Sequence, residues 1–512
     1  MKLKSLFSIL IIVCLCVSLC SCGADPTSGQ AISLQTTDDI VCLDPQLADT
    51  KAEMTACANL FEGLMRLDNG LTPVTAAADS YSVSDDGLTY TFNLRNDMIW
   101  SDGETAVTAD DFVYGIQRAL SPKTGAPYAS VLFSIKNAKA VYNGEKDIAE
   151  LGIRSEGNKV IIDLGSYDES ILYYLCYPVS MPCNKDFFSS TNGKYGRSKK
   201  QLMTNGVFTL KSWNTDTVGE YYLRLSKNND YKGEIDAVPS SVSIGYNRIS
   251  DEIGALISSD GLDIGQISGN TLNSVTKENC TRLSYSNTAY AIYFPDKIRD
   301  IAPLLISATN RNELRKSLPD YYNFDDIGLV PPGHLVGTQY YRENAGQVTL
   351  SEYDTEKLSI AVKSNKELLD RLCELKLYYP ENDTNMKLCA NKIVQSWQAA
   401  SGSTVNSAAL STSELTIENR SDNAAFIIPI SDAKSSACDI LTLLCSAVDN
   451  FDIQGNSVSE LYSTEQQLCD NSAFYPLFSV ADNYCVSDAI FNYIVAADGS
   501  FIDFRLTRKN DM

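Results

Sequence analysis

The sequence predicts an α/β fold, and three observations indicate it. Short apolar runs typical of strands, VIIDL (160–164) and VFTLKSW (207–213), occur among segments with the apolar spacing of a helix, such as TNMKLCANKIVQSWQAA (384–400). No internal repeat underlies this mixed order, which argues against solenoid and propeller architectures. The length of 512 residues corresponds to two or three domains.

The N-terminus has the features of a secretory signal peptide over residues 1–21. A short positive region precedes an apolar run, LFSILIIVCLCVSL (6–19), which is too short to span a bilayer as a stable helix. The following LCSCGAD resembles the bacterial lipobox, which implies cleavage before Cys22 and lipidation of that cysteine. The alternative is a secretory signal without a lipid. Either reading places the mature protein outside the cytoplasm.

The overall charge excludes several classes of partner. The chain has 64 acidic and 42 basic residues, a formal net charge of -22, which argues against nucleic acid and against electrostatic binding to anionic lipid. The single histidine, His334, rules out His-rich metal sites, and its setting in LVPPGHLVG favours an ordinary loop residue. No P-loop or dinucleotide-binding fingerprint occurs. We therefore expect no metal and no cofactor.

The cysteines allow two interpretations. Eleven of the fifteen follow Cys22, they show no C-x-x-C pair, and their number is odd. In an oxidising compartment some would form disulfides and at least one would stay free. Alternatively, most are buried thiols that pack as small apolar residues, and we favour this second interpretation.

Residues 88–120, LTYTFNLRNDMIWSDGETAVTADDFVYGIQRAL, predict a strand, a turn and a helix. Apolar residues alternate with polar ones from Leu88 to Trp100, which indicates a half-buried strand. The following Ser-Asp-Gly is turn chemistry. Thr108, with Asp111 three residues later, then predicts a capping box at a helix start.

The acidic residues of this stretch could also indicate an acid/base active site. A catalytic pair needs one carboxyl in an apolar setting that raises its pKa. Here Asp86 and Asp102 lie in predicted turns, Asp97 and Glu104 on solvent-facing positions, and Asp110 and Asp111 at a helix start. The acidic residues of this stretch are therefore predicted to have structural roles, and we do not expect an enzyme.

The same stretch resembles the signature of the bacterial extracellular solute-binding proteins of family 5, whose members include the oligopeptide-binding lipoproteins of ABC importers. The shared order is DG-x-T-Y-T-F-x-L-R, then W-S-D-G, then T-A-x-D-F-V-Y. Further matches are LDP (43–45), LFEGL (60–64), PYAS (127–130), NGVFTL (205–210) with Trp213, GLD (261–263), YPLFSVADNYCVS (475–487) and GSFIDFRL (499–506). The strong part covers roughly residues 41–235. The final two segments are expected to form the last strands.

The resemblance implies a two-lobed periplasmic-binding-protein-like fold (type II, cluster C) with a hinge and an extra domain. Residues 22–58, 172–275 and 478–512 would form domain I of the first lobe, and residues 59–171 domain II. Residues 276–477 would form domain III, the second lobe.

The resemblance also implies a function. The lobes would close on a peptide and deliver it to the permease subunits of an ABC transporter, with no bond broken. Thr50, Lys51 and Ala52 match the segment whose backbone pairs with the peptide, and Tyr128 matches a ligand-facing tyrosine. Asp432, in IPISDA, is the candidate anchor for the peptide amine. The alternatives are core packing for Tyr128 and an exposed loop residue for Asp432.

The second lobe departs from the family pattern. AIYFPDKIRDIAPLLISATNRNEL (291–314) is shortened, and Asn310 stands where the family has an Asp. One alternative is therefore a drifted peptide sensor or surface interaction protein. Another is a secreted hydrolase with paired carboxylates, given 48 aromatic residues (3 Trp, 28 Tyr, 17 Phe) that could line a sugar cleft. A nickel or haem binder is disfavoured by the single histidine. We expect a monomer that contacts the membrane, on its extracellular or periplasmic face, through its N-terminal lipid.

Overall fold

The structure is a computed structural model. It describes residues 30–215, 221–259, 261–267, 271, 275, 280–319, 321–325, 327–336, 339–381, 383–411, 414–415, 423–430 and 436–510. The predicted signal peptide, Cys22 and Asp432 lie outside the described residues. Among the helices that the structure describes, none is long and apolar enough to cross a bilayer.

Strands and helices alternate along the described chain, as the α/β prediction requires. The strands are β1 (Ala31–Gln35), β2 (Met65–Leu67), β3 (Pro73–Thr75), β4 (Ala78–Val83), β5 (Thr89–Leu94), β6 (Ile153–Glu156), β7 (Lys159–Asp163), β8 (Phe208–Asn214), β9 (Tyr222–Lys227), β10 (Ser241–Gly245), β11 (Ile264–Ile267), β12 (Cys280–Tyr293), β13 (Tyr322–Asn323), β14 (Leu335–Val336), β15 (Gln339–Tyr340), β16 (Lys376–Pro380), β17 (Asn406–Leu410), β18 (Ala424–Ile430), β19 (Phe474–Ser487), β20 (Ile490–Phe491), β21 (Ile494–Val495), β22 (Ile502–Asp503) and β23 (Arg508–Lys509). The helices are α1 (Lys51–Leu60), α2 (Ala109–Ala119), α3 (Ala138–Tyr142), α4 (Ser170–Tyr174), α5 (Lys185–Ser190), α6 (Ser250–Ser258), α7 (Asp296–Arg299), α8 (Ala302–Ser307), α9 (Arg311–Ser317), α10 (Tyr341–Ala345), α11 (Thr355–Ser364), α12 (Lys366–Glu374), α13 (Thr384–Ser401), α14 (Ala437–Ser446) and α15 (Val458–Asp470).

One large mixed sheet runs through both lobes. Its strand order within the described chain is β17-β16-β18-β12-β19-β11-β1-β10-β9-β8, and β13 pairs with β19. The first-lobe part is β8 to β11 with β1, and the second-lobe part is β16 to β18. Strands β12 and β19, which we call the crossing strands, join the two parts.

The crossing strands are unusually long, at 14 residues each, and pair antiparallel along their length. The first-lobe end of β19 pairs with β11, where Ile264 lies opposite Val486. The second-lobe end of β12 pairs with β18, where Tyr293 lies opposite Phe426. The ladder is irregular between Ser286 and Thr288 and again between Tyr290 and Ala291. Irregularities of this kind bend a strand, so the crossing strands change direction between the two lobes.

The apolar cores follow the same division. One large cluster draws mainly on residues before 265 and after 483, and two others cover opposite faces of the second-lobe sheet with residues 289–478. Leu335, in the short strand β14 before α10, is a second-lobe residue that joins the first-lobe core. The mixed fold with two lobes is therefore confirmed. The three domain boundaries stay a prediction.

The stretch 88–120 forms the elements expected of it, with one difference in length. β5 ends at Leu94 rather than continuing to Trp100, and the chain returns to the core at Met98 and Trp100. The alternating burial of β5 matches the predicted apolar face. β5 is an inner strand of a second, antiparallel sheet, β4-β5-β7-β6, within the described residues 78–163. The predicted capping box at Thr108 and Asp111 begins α2.

The closing GSFIDFRL segment is mostly irregular, which corrects the expectation that it forms a last strand. Only Ile502 and Asp503 pair, in the short β22. The N–H groups of Ile502 and Phe504 donate to the side chains of Thr55 and Asn59 of α1, at 3.2 and 2.9 Å. Because helix side chains satisfy these backbone donors, the segment needs no neighbouring strand.

The eleven cysteines after Cys22 all lie among the described residues, and the structure joins none of them in a disulfide. Seven are buried, three are half-buried, and Cys373 is exposed. Burial raises the pKa of Cys57 and Cys176 well above the usual value, so these thiols are poor nucleophiles. This arrangement supports the interpretation that most of the cysteines act as small apolar side chains.

Candidate functional site

The family-like motifs of the first lobe converge on a buried ion network around Glu62. Arg95 Nη2 and Arg505 Nη1 contact the two Glu62 carboxylate oxygens at 3.0 and 3.1 Å, and the Tyr231 hydroxyl donates to the same group. The Glu62 side chain is 2% exposed. The amide of Asn205 donates to the Glu62 carbonyl at 3.0 Å and accepts from its N–H at 3.0 Å. These motif residues therefore have a structural role, because they hold distant segments of the first lobe together.

The LDP motif has a similar structural role. Arg118 of α2 holds Asp44 with both guanidinium nitrogens, at 2.6 and 3.2 Å, and donates to Gln46 at 2.6 Å. Its guanidinium lies 3.9 Å from the centre of the Phe188 ring. Because both charges are buried and paired, this group fixes α2 against the N-terminal segment.

Asp86, Asp102 and Asp111 each have a structural partner. Asp86 accepts from Leu88 N–H at 3.0 Å, and Asp102 accepts from the N–H groups of Glu104 and Thr105 at 3.0 Å. Burial raises the pKa of Asp111, but its carboxylate accepts from Thr108 N–H at 2.8 Å and from the Trp100 indole at 3.4 Å. A raised pKa alone does not make Asp111 catalytic, because its oxygens cap α2.

The junction of the lobes holds a different group of charges. Lys51, at the start of α1, forms an ion pair with Asp482 of β19, and the two side chains are 19% and 36% exposed. Asp38 lies beside them and accepts from Ala52 N–H at 3.4 Å. Burial raises the pKa of Asp38, and the Lys51 ammonium only partly offsets this effect. These side chains remain partly exposed, where the first lobe meets the crossing strand β19.

Tyrosines and a third carboxylate extend this group. The rings of Tyr285 and Tyr484 meet edge to face at 6.3 Å. Burial, together with Asp482, Asp38 and Asp498, holds the pKa of Tyr484 well above its usual value. Burial raises the pKa of Tyr340 to about 12, and Asp498 adds to this. Three carboxylates and several tyrosine hydroxyls therefore converge here.

Two close approaches bring chain segments together around Asp498. A Cβ on Gly499 (φ +70°) would lie 2.9 Å from the Tyr285 side chain. A Cβ on Gly333, in the second-lobe loop that carries His334, would lie 2.9 Å from Asp498 Cα. This loop is therefore seated on the first lobe, and only glycine permits the contact.

The chain segment that holds Asp432 connects β18 to α14. Ser436 begins α14 with a capping box. Burial raises the pKa of Cys438 in this helix, and the negative charge of Asp168 in the first lobe contributes to the same shift. β18 ends at Ile430, which lies opposite Ala289 at the end of the strand nearest the lobe junction. Asp432 falls between these two described ends, and its role as amine anchor stays a prediction.

The predicted peptide-pairing segment lies at the cleft but is mostly helical. Thr50 is extended (φ -81°, ψ 155°) and caps α1, whose first residues are Lys51 and Ala52. The Thr50 hydroxyl donates to the Asp39 carbonyl at 2.9 Å. Only Thr50 has strand-like backbone, so its pairing with a ligand, like that of Lys51 and Ala52, stays a prediction.

Tyr128 lies behind the cleft rather than in its open part. Its side chain is 4% exposed, and its ring lies 6.4 Å from that of Tyr177. Tyr177 in turn packs on Tyr173, whose hydroxyl accepts from Ala497 N–H at 2.9 Å beside Asp498. The predicted ligand contact of Tyr128 stays a prediction, and its present neighbours are core residues.

Sequence reasoning did not select Asp38, Asp482 or Asp498. Asp38 and Asp498 lie in polar, turn-like segments that give no distinctive signal. Asp482 did give a distinctive sequence signal, because it is a charged residue inside the long apolar run YPLFSVADNYCVS. No group of three His, Cys, Asp or Glu side chains suited to a metal occurs among the residues that the structure describes.

Comparison with known proteins identifies similar sequences and folds. A family profile described as "Bacterial extracellular solute-binding proteins, family 5 Middle" matches residues 72–436. The dipeptide-binding protein of Lactococcus lactis subsp. cremoris is 29% identical over 319 residues, which are 59% of this chain and 58% of that protein. The match therefore spans less than two thirds of that relative's length.

Two solved structures share the fold. The substrate-binding domain of an oligopeptide ABC transporter from Bacillus anthracis has a TM-score of 0.69 at 22% identity, covering 95% of this chain and 99% of that one. Listeria monocytogenes OppA bound to peptide has a TM-score of 0.71 at 20% identity, covering 95% of this chain and 100% of that one.

Proposed function

Because the chain belongs to the bacterial extracellular solute-binding proteins of family 5, we propose that it captures peptides outside the cytoplasm and delivers them to the permease of an ABC importer. The observation that carries this proposal is the partly exposed Lys51–Asp482 ion pair, which joins α1 of the first lobe to the crossing strand β19 beside Tyr285 and Tyr484. The relatives described as dipeptide-binding, or solved with bound peptide, support the ligand class.

Capture would proceed by closure of the lobes about the crossing strands. The irregular ladder at Ser286–Thr288 lets the second lobe rotate without breaking the sheet. Closure would bury the ligand between α1 on one side and the segment after β18 on the other. Thr50, Lys51 and Ala52 would meet the peptide main chain, Asp432 would hold its amine, and Tyr128 would support the pocket from behind.

The remaining parts of the proposal concern attachment and partners. Lipid on Cys22 would tether a monomer to the membrane, with domains I and II forming the first lobe and domain III the second. The permease subunits would recognise the closed form. The protein would break no bond, because Asp86 and Asp102 serve turns and Asp111 caps the start of α2.

Native mass spectrometry of gently purified protein tests this function. We expect adducts with peptide masses that disappear after unfolding and refolding, and that return when a peptide pool, but not a pool of free amino acids, is added. The added peptides should be recovered intact after long incubation. Failure to bind any peptide would contradict the proposal, and shortened peptides would indicate a hydrolase instead.

A further inference from the structure

Carboxylates outnumber cations among the described residues at this lobe junction. Asp38, Asp482 and Asp498 all act on the Tyr484 hydroxyl, and Lys51 is in contact with Asp482. Burial still raises the pKa of Asp38, although the Lys51 ammonium and the backbone N–H groups of Ala52 and Lys51 act against it. A second positive charge would compensate the burial of Asp38 more fully.

The aromatic side of the same region suits such a charge. Tyr285, Tyr340 and Tyr493 are only partly buried, and Tyr285 lies directly opposite Asp482 in the ladder of the crossing strands. Tyr493 and Tyr340 both add to the burial that raises the pKa of Tyr285. Tyrosine rings attract ammonium and guanidinium groups through their negative faces. The ring of Tyr285 is held in place by Gly499 on one side and by Tyr484 on the other.

We propose that the cleft selects peptides that carry a positive charge at its base, where Asp482 and Asp38 take the ligand's ammonium or guanidinium group. This inference rests on the proposed function and adds a specificity to it. In the ligand-free protein, Lys51 occupies the place of the ligand cation at Asp482. On binding, the cationic group of the peptide takes Asp482, and Lys51 turns to Asp38 or to solvent.

This arrangement assigns opposite effects to the two members of one ion pair. Asp482→Asn removes an attractive carboxylate and weakens the binding of cationic peptides. Lys51→Met keeps the aliphatic part of the side chain but removes the competing ammonium, so it strengthens the same binding. A pair with a purely structural role would weaken binding in both variants, or change it in neither.

The test is a calorimetric titration of the full-length mature protein with three tripeptide series that are rich in lysine, alanine or glutamate. We expect the lysine series to bind at least about tenfold more tightly than the glutamate series, which corresponds to roughly 1.4 kcal/mol. Asp482→Asn should remove most of that preference, and Lys51→Met should increase it by about threefold or more. Asp370→Asn, at an exposed aspartate of α12 in the second lobe, makes the same change in net charge and should leave the preference unchanged.

The outcomes separate this inference from the proposed function. Equal affinity for all three series, preference for glutamate, or weaker binding of lysine peptides by Lys51→Met would overturn the charge selectivity while leaving a peptide receptor. Absence of binding by every peptide would overturn both. Should Asp482→Asn fail to fold, Lys51→Met alone still decides, because only the selective cleft predicts a gain.

Discussion

At the residue scale, buried charges do two different tasks in this protein. Glu62 is fully enclosed and satisfied by two arginines and a tyrosine, so its charge stabilises one arrangement of four chain segments. Asp38 is desolvated with weak compensation, so its charge opposes folding. Complete pairing of a buried charge, as at Glu62, indicates a structural role. Incomplete compensation of a partly exposed charge, as at Asp38, makes that residue a candidate for ligand binding.

Replacement of Glu62 by Gln should destabilise the protein strongly. The change leaves the guanidinium groups of Arg95 and Arg505 buried without their carboxylate, a loss of about 3–5 kcal/mol in the free energy of unfolding. Urea unfolding followed by tryptophan fluorescence measures it. Glu104→Gln, at a position in the turn before α2, is the matched control and should change stability by less than about 0.5 kcal/mol. A loss for Glu62→Gln as small as that of the control would refute the role given to the network.

Asp38→Asn should stabilise the protein at neutral pH. Because the folded state raises the pKa of Asp38 above its unfolded value of 3.8, the ionised carboxylate costs folding free energy at pH values above the folded pKa. The gain of the variant should be largest near pH 7 and should disappear as the pH falls toward 3.8. Unfolding free energies measured across this range check the sign. A variant that is less stable than the parent at pH 7 would show that the carboxylate is fully compensated.

At the scale of single elements, the sequence predicted the features of helices and strands that depend on interactions between residues close together in the chain. The capping box of α2 and the alternating face of β5 were both readable from residues 88–120, because hydroxyl, carboxylate and apolar periodicity act over three or four positions. The end of β5 and the irregular GSFIDFRL segment were not readable. Their form depends on partners far away in sequence, such as Asn59, which is 445 residues from Phe504.

Asn310 illustrates how an apparent departure from the family can be neutral. Its side chain accepts from Glu313 N–H at 3.1 Å and caps α9, a task that the expected aspartate performs equally well. We expect Asn310→Ala to cost about 1 kcal/mol of stability and Asn310→Asp to be neutral or slightly stabilising, because a carboxylate favours the helix N-terminus. Thermal unfolding of both variants measures this. Equal losses for Ala and Asp would mean that the side chain has another role.

At the scale of the whole molecule, the fold was predictable from a resemblance carried by one ordered stretch, but the cleft was not. Lys51 and Asp482 are 431 residues apart, and they meet only because α1 and β19 flank the same lobe junction. No local pattern distinguishes Asp38 or Asp498 from the turn aspartates elsewhere in this acidic chain. The charges that we propose to select the ligand can therefore be identified only from the folded structure, in which the two ends of the chain lie together.

The whole molecule also limits how ligand binding can be transmitted. The crossing strands are shared by both lobes, and the loop that carries His334 is seated on the first lobe at Asp498. A ligand that contacts Asp482 therefore touches the flexible part of the sheet directly. Closure and binding should be a single event rather than two independent ones.

Hydrogen–deuterium exchange with and without a bound peptide tests this capture at the crossing strands most directly. We predict slower exchange on binding in three segments, 36–54, 328–342 and 478–500, with no change in the sheet formed by β4, β5, β6 and β7. The Asp370→Asn protein should give the same pattern as the parent protein. Protection confined to residues outside these segments, or no protection at saturating peptide, would contradict capture between the lobes.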